Sequence, residues 1–315
     1  MGFSQAYRSF IAGHPDATVW HDADFLEALT VHDSIHDWSA VELIVDDELV
    51  GVLPICCKKR VDGLVITTPP LARYCSPLFI ESYSDRAGMP SAICELFNVL
   101  PKGYVSLDQQ WHPSLFEDAS TSSCVEIREL PTYKLDLPST LEEVLLLPKK
   151  RMRRTLRAAD KHWTLRQENL DEEGLALLKA PFERQNIPVP FDSQVVLSVF
   201  QHLSAKGLAI CHYAYDSASK LHGASICLRD SRTAYCWIAG SSEEARANSC
   251  GSFLLAAEIK WAFNHGLKEV DFLGSALPGP AANRRQLGGV KHLYPHVFRD
   301  TNFMTKAFRS WRMRK

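Results

Sequence analysis

Four consecutive stretches decide the fold: Thr233-Ala-Tyr-Cys-Trp-Ile-Ala239, Gly240-Ser-Ser-Glu-Glu-Ala-Arg-Ala-Asn-Ser-Cys-Gly-Ser252, Phe253-Leu-Leu-Ala-Ala-Glu-Ile-Lys-Trp-Ala-Phe-Asn-His265 and Leu267-Lys-Glu-Val-Asp-Phe-Leu-Gly274. The first and last are short, apolar and rich in β-branched or aromatic residues, so they read as strands. The second is a Gly/Ser loop. The third is built of good helix formers and is stopped by Gly266. A strand–helix–strand unit of this size is a crossover between parallel strands. The start of its helix exposes unpaired N–H groups beside the loop, a general site for anions.

Working outward, the elements leading to this unit occur twice. Val41-Glu-Leu-Ile-Val-Asp-Asp-Glu-Leu-Val-Gly51-Val-Leu-Pro-Ile-Cys56 reads as strand, acidic turn and strand. Ala209-Ile-Cys-His-Tyr-Ala-Tyr-Asp216-Ser-Ala-Ser-Lys-Leu-His-Gly223-Ala-Ser-Ile-Cys227 reads the same way. In each copy a further extended segment follows (Gly63 to Thr68, Thr233 to Ala239), then a helix (Met89–Leu100, Gly251–His265). The repeated order predicts two equivalent α/β domains with mixed sheets, 1–145 and 146–315.

At the join lies Leu141-Glu-Glu-Val-Leu-Leu-Leu-Pro148-Lys-Lys-Arg-Met-Arg-Arg-Thr-Leu-Arg157-Ala-Ala-Asp-Lys161-His-Trp163. Pro148 suits a helix start, and a helix is expected over about 148–163. Met152, Leu156 and Ala159 recur at helical spacing, so one stripe packs. The basic residues at 149, 150, 151, 153, 154, 157 and 161 stay on the other faces. They form either a solvated linker face or a basic wall beside an anionic substrate.

Composition narrows the function. The chain has 315 residues, with 46% hydrophobic and 23% charged, an ordinary globular balance. Lys+Arg number 35 against Asp+Glu 37, so long nucleic acid is not gripped through net charge. No apolar run reaches the roughly 18 residues of a membrane span; the nearest, Phe253 to Phe263, is interrupted by Glu258 and Lys260. The N-terminus lacks the apolar core of a secretory signal. Nine cysteines without a CxxC pair read as reduced thiols in a cytosolic protein, not a zinc or disulfide framework. The 12 histidines show no metal-ligand spacing, since Pro295 separates His292 from His296. Trp163, Trp237 and Trp261 read as core.

With these elements in order, the chain resembles the GNAT acyltransferase superfamily, and within it the tandem-GNAT, Fem-type (FemABX-like) proteins. The resemblance rests on Leu-x-Gly-x-x-Pro ending at Pro54 and Lys-Arg-x-Arg-Arg-x-x-Arg-x-Ala at 150–159. It continues through Phe182-Glu-Arg184, one position shorter than the usual Phe-x-x-Arg, and Ala234-Tyr235 leading to Ala239-Gly240. It ends in Gly266-x-x-x-Val-Asp271-Phe-Leu-Gly274-Ser, Pro278-Gly279 and Leu287-Gly288-Gly289. The fold it implies is α/β, with two tandem GNAT-like domains. The activity it implies is N-acyl or aminoacyl transfer to an amine.

Two departures bear on chemistry. Coenzyme A-dependent GNAT enzymes carry Gln/Arg-x-x-Gly-x-Gly/Ala before the crossover helix, where amides hold the pyrophosphate. This chain has Arg246-Ala-Asn-Ser249-Cys-Gly251. Serine tolerates a positive φ poorly, and Glu243 and Glu244 repel phosphate, so coenzyme A is expected to be held less well. Fem-type proteins carry Phe-Lys before an aromatic-Gly pair. Here the match is Asn283-Arg284-Arg285-Gln-Leu287-Gly288, which keeps the charge but not an ammonium.

Acyl transfer to an amine needs alignment, proton removal and stabilisation of an oxyanion. No Gly-x-Ser-x-Gly elbow, P-loop or His-Glu-x-x-His pattern supplies another chemistry. The resemblance assigns oxyanion stabilisation to Arg284 with Arg285 beside it, and substrate contact to Arg184 and Tyr235. It gives a donor's phosphates to Arg246, Ser249 and Gly251. Asp271, alternating with Val270 and Phe272, is the candidate base. The plainer readings are an exposed loop for Arg284 and Arg285, core for Tyr235, a surface ion pair for Arg184 and a loop cap for Asp271.

No tightly bound cofactor or metal is expected; the co-substrate is aminoacyl-tRNA or acyl-CoA, and the acceptor a small-molecule or sugar-linked amine. The basic helix and the tail cations Lys306, Arg309, Arg312, Arg314 and Lys315 suit a tRNA acceptor end. The rival readings are an acyl-CoA-dependent acetyltransferase acting on a small amine, and a non-catalytic GNAT-fold module that binds an anionic sugar or RNA.

Overall fold

A computed structural model of the chain describes residues 4–30, 36–69, 71–274, 277–301, 305–307 and 309. Ser275 of the Gly274-Ser motif and the tail residues Arg312, Arg314 and Lys315 lie outside the described residues. The chain divides into two compact units, Met1–Leu130 with Leu293–Lys315, and Pro131–His292.

The first unit begins with helices α1 (Gln5–Gly13) and α2 (Ala23–Thr30), followed by strands β1 (His36–Val45), β2 (Glu48–Arg60), β3 (Gly63–Thr67) and β4 (Leu78–Phe79). Helices α3 (Glu81–Ala87) and α4 (Met89–Asn98) lead to β5 (Tyr104–Gln110) and α5 (Phe116–Thr121). The β1–β2 hairpin closes through Asp46 and Asp47, both at positive φ (50° and 63°), the backbone of a type I′ turn. That is the acidic turn legible in the sequence. Strand β6 (Glu126–Asp136) then carries the chain onward.

The second unit continues with α6 (Leu141–Leu146), α7 (Lys150–Ala159), β7 (Thr164–Gln167), α8 (Glu172–Glu183), α9 (Ser193–Ala205), β8 (Ala209–Tyr215), β9 (Leu221–Arg229) and β10 (Thr233–Ser241). Helix α10 (Cys250–Asn264), β11 (Glu269–Asp271), α11 (Pro278–Gln286) and β12 (Val290–Asp300) complete the described order. Helix α7 starts two residues after Pro148 and buries Met152 and Ala159, the stripe expected from their spacing.

Strands of the first unit run in the order β1-β2-β3-β5-β12, with β4 beside β2; those of the second run β6-β11-β10-β9-β8-β7. A single cut at residue 145 does not describe this chain. The Pro131–Asp136 part of β6 pairs with β11, and the end of β12 pairs with β5, so the final strand returns to the first unit.

Each unit has one parallel pair among the described residues, β3 with β5 and β10 with β11. Both are spanned by helices, as a crossover requires. In the second unit α8 and α10 flank the sheet. A Cβ added at Gly223 would meet the Cys250 Sγ of α10 at 2.5 Å, and one at Gly240 would meet the Leu177 carbonyl of α8 at 2.0 Å. Gly240 pairs with Ala224, so Gly223 and Gly240 point to opposite faces. Larger side chains there would push the helices off the sheet.

Each unit has its own apolar core. Ile93, Leu96 and Phe97 of α4 pack against Leu53, Ile66 and Leu107 in the first. Ile259 and Trp261 of α10 pack with Val270, Phe272 and Leu287 in the second. Each of the larger side chains contributes about 2 kcal/mol by leaving water.

Candidate active site

Strand β11 is shorter than the stretch Leu267–Gly274 predicts, and its shortness shapes the site. It pairs with β10 at Thr233↔Glu269, Ala234↔Val270 and Tyr235↔Asp271, and then the two strands part. Beyond Asp271 the chain follows β6 instead. The Phe272 N–H donates to the Tyr133 carbonyl at 2.9 Å, and the Gly274 N–H to the Thr132 hydroxyl at 3.0 Å. Leu273 and Gly274 have φ of 51° and 76°, which no strand can contain.

Strand β10 meanwhile stays paired to β9 as far as Ser241, with a bulge between Cys236 and Ile238. Among the described residues, its other edge pairs with no strand from Cys236 onward. Thr233, Ala234 and Tyr235 are buried, whereas Cys236, Trp237 and Ile238 are partly exposed and Ala239 is exposed. The two strands therefore diverge from Cys236 onward, and a diverging strand edge of this kind can accept an extended ligand.

Beneath β10 lies Glu258 of α10, with no exposure to solvent. Neither of its carboxylate oxygens meets a partner at hydrogen-bonding geometry, nor does the hydroxyl of neighbouring Ser225. Among the described residues it is the one buried carboxylate with both oxygens so placed. Burial pushes its pKa up to about 7, while the Cys236 thiol, the Ser225 hydroxyl and the Arg284 guanidinium pull the other way without matching it. A carboxyl that changes charge near neutral pH, buried among the side chains of β9 and β10, is a candidate to accept a proton.

Sequence reasoning missed this residue, registering it only as a charge interrupting an apolar run. A usable signal was present. Leu254, Ala257, Glu258 and Trp261 lie at helical spacing and are all buried, so the carboxylate occupies a position in the apolar stripe.

Four of the sequence candidates stand around the parting of the strands. Arg284 is half-buried on α11, and its Nε donates to the Phe272 carbonyl at 3.1 Å. Its charge also acts on the Cys236 thiol and the Glu258 carboxyl. Tyr235 is fully buried and donates its hydroxyl to Asp230 at 2.7 Å; burial, then Asp230, drives its pKa well above that of a free phenol. It anchors the closed end of the cleft, and substrate contact is not what its packing provides.

Asp271 is equally buried, and its Oδ1 accepts from the Thr132 hydroxyl at 2.7 Å and from the Leu273 N–H at 2.8 Å. It holds the turn that carries β11 away from β10, the cap role weighed against that of a base. Arg285 is exposed, donates to the Tyr133 hydroxyl at 3.0 Å and lies over that ring.

The other four gather at the start of α10. Ser249 takes the left-handed conformation, φ 57° and ψ 34°, that the glycine of a phosphate loop would supply. Nothing lies within 4 Å of a Cβ built on Gly251, so the first turn of the helix opens onto free space. Arg184 donates to the Ser241 carbonyl at 2.8 Å and pairs with Glu243 at 3.1 Å. Arg246 pairs with the same Glu243 at 3.0 Å. Glu244 is held by Lys220 at 2.9 Å, which lowers its pKa. The two acids expected to repel a phosphate are thus each matched by a cation.

On α7, Arg153 turns inward and donates to the carbonyls of Leu146 (3.0 Å) and Pro148 (2.6 Å). Lys149, Lys150, Arg151, Arg154, Arg157 and Lys161 remain exposed, without ion pairs among the described residues. In the first unit, Lys306 pairs with Glu126, while Arg309 pairs with Glu126 and with Asp300, each at 2.8 Å. These two tail cations are therefore neutralised where they stand. All nine cysteines are free thiols. No helix among the described residues is long and apolar enough to cross a membrane, and no group of three or more His, Cys, Asp or Glu side chains is placed among them to hold a metal.

Comparison with known proteins agrees with this architecture. The family model for acetyltransferase (GNAT) domains matches residues 149–280. A crystal structure of FemX superposes with a TM-score of 0.71 at 15% identity, covering 93% of this chain and 95% of that one. The structure of L-PGS from Bacillus licheniformis follows at 0.55 and 12% identity, covering 89% and 92%. A conserved protein of unknown function from Bacteroides thetaiotaomicron gives 0.55 at 9%, covering 95% and 98%. No curated protein matches the chain by sequence. Residues 149–280 thus match the GNAT domain model, and the chain as a whole has a fold like that of FemX.

Proposed function

We propose that this chain, which matches the GNAT domain model over residues 149–280 and shares the fold of FemX, is an N-acyltransferase that passes an activated acyl or aminoacyl group to an amine. The observation that carries this reading is the open edge of β10 above the unpaired carboxyl of Glu258. The donor's carbonyl lies along that edge, where backbone amides and the Arg284 guanidinium favour the developing oxyanion. Glu258 takes the proton lost by the attacking amine, directly or through one bridging water. With its pKa pushed up to about 7, the carboxyl changes charge near neutral pH. The free thiols agree with a cytosolic setting.

Two donors fit. The six exposed cations of α7 favour aminoacyl-tRNA, whose phosphates they would meet. The left-handed Ser249 favours acyl-CoA as a second reading, because the conformation a phosphate loop needs is attained without glycine. From Ser249 to Glu258 the helix rises about 13 Å, within reach of a pantetheine arm.

The test is to titrate the purified protein with coenzyme A and with charged tRNA, and then to assay acyl transfer to a panel of amines with whichever binds. Turnover that falls about a hundredfold or more in Glu258→Gln, with donor binding retained, supports the assignment. Binding of an anionic sugar or RNA without turnover from either donor refutes it and leaves the non-catalytic module.

A further inference from the structure

A cavity lies in the second unit, apart from the parting of the strands. It has a volume of about 640 Å³ and is lined by α6, α7, α10, β7 and β8. That is within the size range of small-molecule sites, roughly 300–1,000 Å³. Glu258, Cys236 and Arg284 do not line it.

Its walls are aromatic and aliphatic, with Trp163, Phe253, Trp261 and Leu156 facing the space. Leu145 and Leu165, also on the lining, are 47% and 37% exposed, an unusual price for two leucines unless something covers them. Trp163 is not free to swing inward and fill the gap, because its Nε1 donates to the Asn248 carbonyl at 2.9 Å. Arg153 is likewise held by the Leu146 and Pro148 carbonyls.

Two further observations give the cavity a chemistry. His212 borders it, is 1% exposed, and its Nδ1 has no hydrogen-bond partner. Its other ring nitrogen lies 3.3 Å from the Gln167 amide. A buried ring nitrogen without a partner is costly and marks a place where a ligand atom would bond. At the rim, Arg157 and Lys260 are exposed and have no ion pair among the described residues. Asp160 is the one acid among the lining residues. The rim is therefore cationic and the interior apolar.

We propose that this cavity binds an amphipathic anion, with a medium-length apolar body against Trp163 and Trp261 and a carboxylate or phosphate held by Arg157 and Lys260. The cavity lies apart from Glu258, although Arg157 is shared with the basic face of α7 that the tRNA reading uses, and its titration does not require acyl transfer. Carboxylate and phosphate ligands share this chemistry, and the experiment distinguishes them.

Calorimetric titration of the full chain with decanoate, decyl phosphate, decanol and acetate, below their micelle-forming concentrations, tests the assignment. One saturable site is expected for decanoate or decyl phosphate, the tighter of the two naming the head group. Decanol should bind at least tenfold more weakly and acetate not measurably. Arg157→Ala with Lys260→Ala, both on the surface, should weaken the anion tenfold or more and leave decanol unchanged. Ala256→Trp, which fills the cavity, should abolish binding by a protein whose circular dichroism is unaltered. The proposal is overturned if neither anion binds saturably, if decanol binds as tightly as the anions, or if anion binding survives the surface double variant unchanged.

Discussion

The two crossovers of this chain are built to the same plan and finished differently. In the first unit β3 and β5 stay paired from Leu64↔Tyr104 to Thr67↔Asp108, and the Thr68 N–H extends the ladder to the Asp108 carbonyl. The helix above them, α4, buries Ala92, Ile93, Leu96 and Phe97, all apolar. In the second unit β10 and β11 part after three pairs, and the helix above them buries a carboxylate. A closed ladder with an apolar helix is what folding alone favours. An open ladder over an unpaired charge costs stability, and such strain persists where it serves a site. The proposed acyl-transfer site lies at the second of these crossovers.

Variants can break or sharpen this contrast. The largest effect is expected from Leu96→Glu, which writes into α4 what α10 carries at Glu258. Leu96 is fully buried among apolar side chains, so the change should cost on the order of 4–5 kcal/mol, measured by urea unfolding.

Glu258→Gln makes the reverse change. In the native protein the carboxyl is raised from 4.5 to about 7. Below pH 4.5 the folded and unfolded chains are both protonated there and the residue costs nothing. Between these values the folded protein keeps a proton that the unfolded chain has lost, so its stability falls as pH rises. The full penalty, about 3 kcal/mol, is in place above pH 7. The glutamine variant should therefore be more stable than the native protein at pH 8 by about that amount and equal to it at pH 4, while its transfer rate collapses.

Asp271 provides the control. The Thr132 hydroxyl and the Leu273 N–H both donate to one of its oxygens, which asparagine retains. Asp271→Asn should keep the transfer rate within about tenfold, because no proton transfer is asked of it. Asp271→Ala strands the buried Thr132 hydroxyl and should cost about 2 kcal/mol in thermal or chemical unfolding.

The smallest change is Ser249→Gly. Relief of the left-handed backbone should stabilise the protein by roughly 1 kcal/mol in the same unfolding experiment. If acyl-CoA is the donor, calorimetry should show coenzyme A binding at least as tightly as to the native protein.

Local chemistry explains what was legible in the sequence. The Asp46-Asp47 turn, the stripe of Met152 and Ala159, and the strand–helix–strand order around α10 each follow from residue type and period. The return of β12 to the first unit did not, because strand pairing across nearly two hundred residues leaves no local trace. At the site, Asp271 and Glu258 differ in sequence only by their neighbours. Asp271 looked the better base because it alternates in a strand. The Thr132 hydroxyl that engages it lies 139 residues away, and the apolar stripe that isolates Glu258 needed reading along a helix.

The central claim is that Glu258 is a carboxyl kept near neutrality by burial inside an open crossover. Carbon-13 NMR titration of glutamate side chains, in the native protein and in Glu258→Gln, tests it without knowledge of the substrate. The account predicts one carboxyl with a midpoint near pH 7, absent from the variant. If every glutamate titrates below about pH 5, in the range of solvated carboxylates, the account is contradicted.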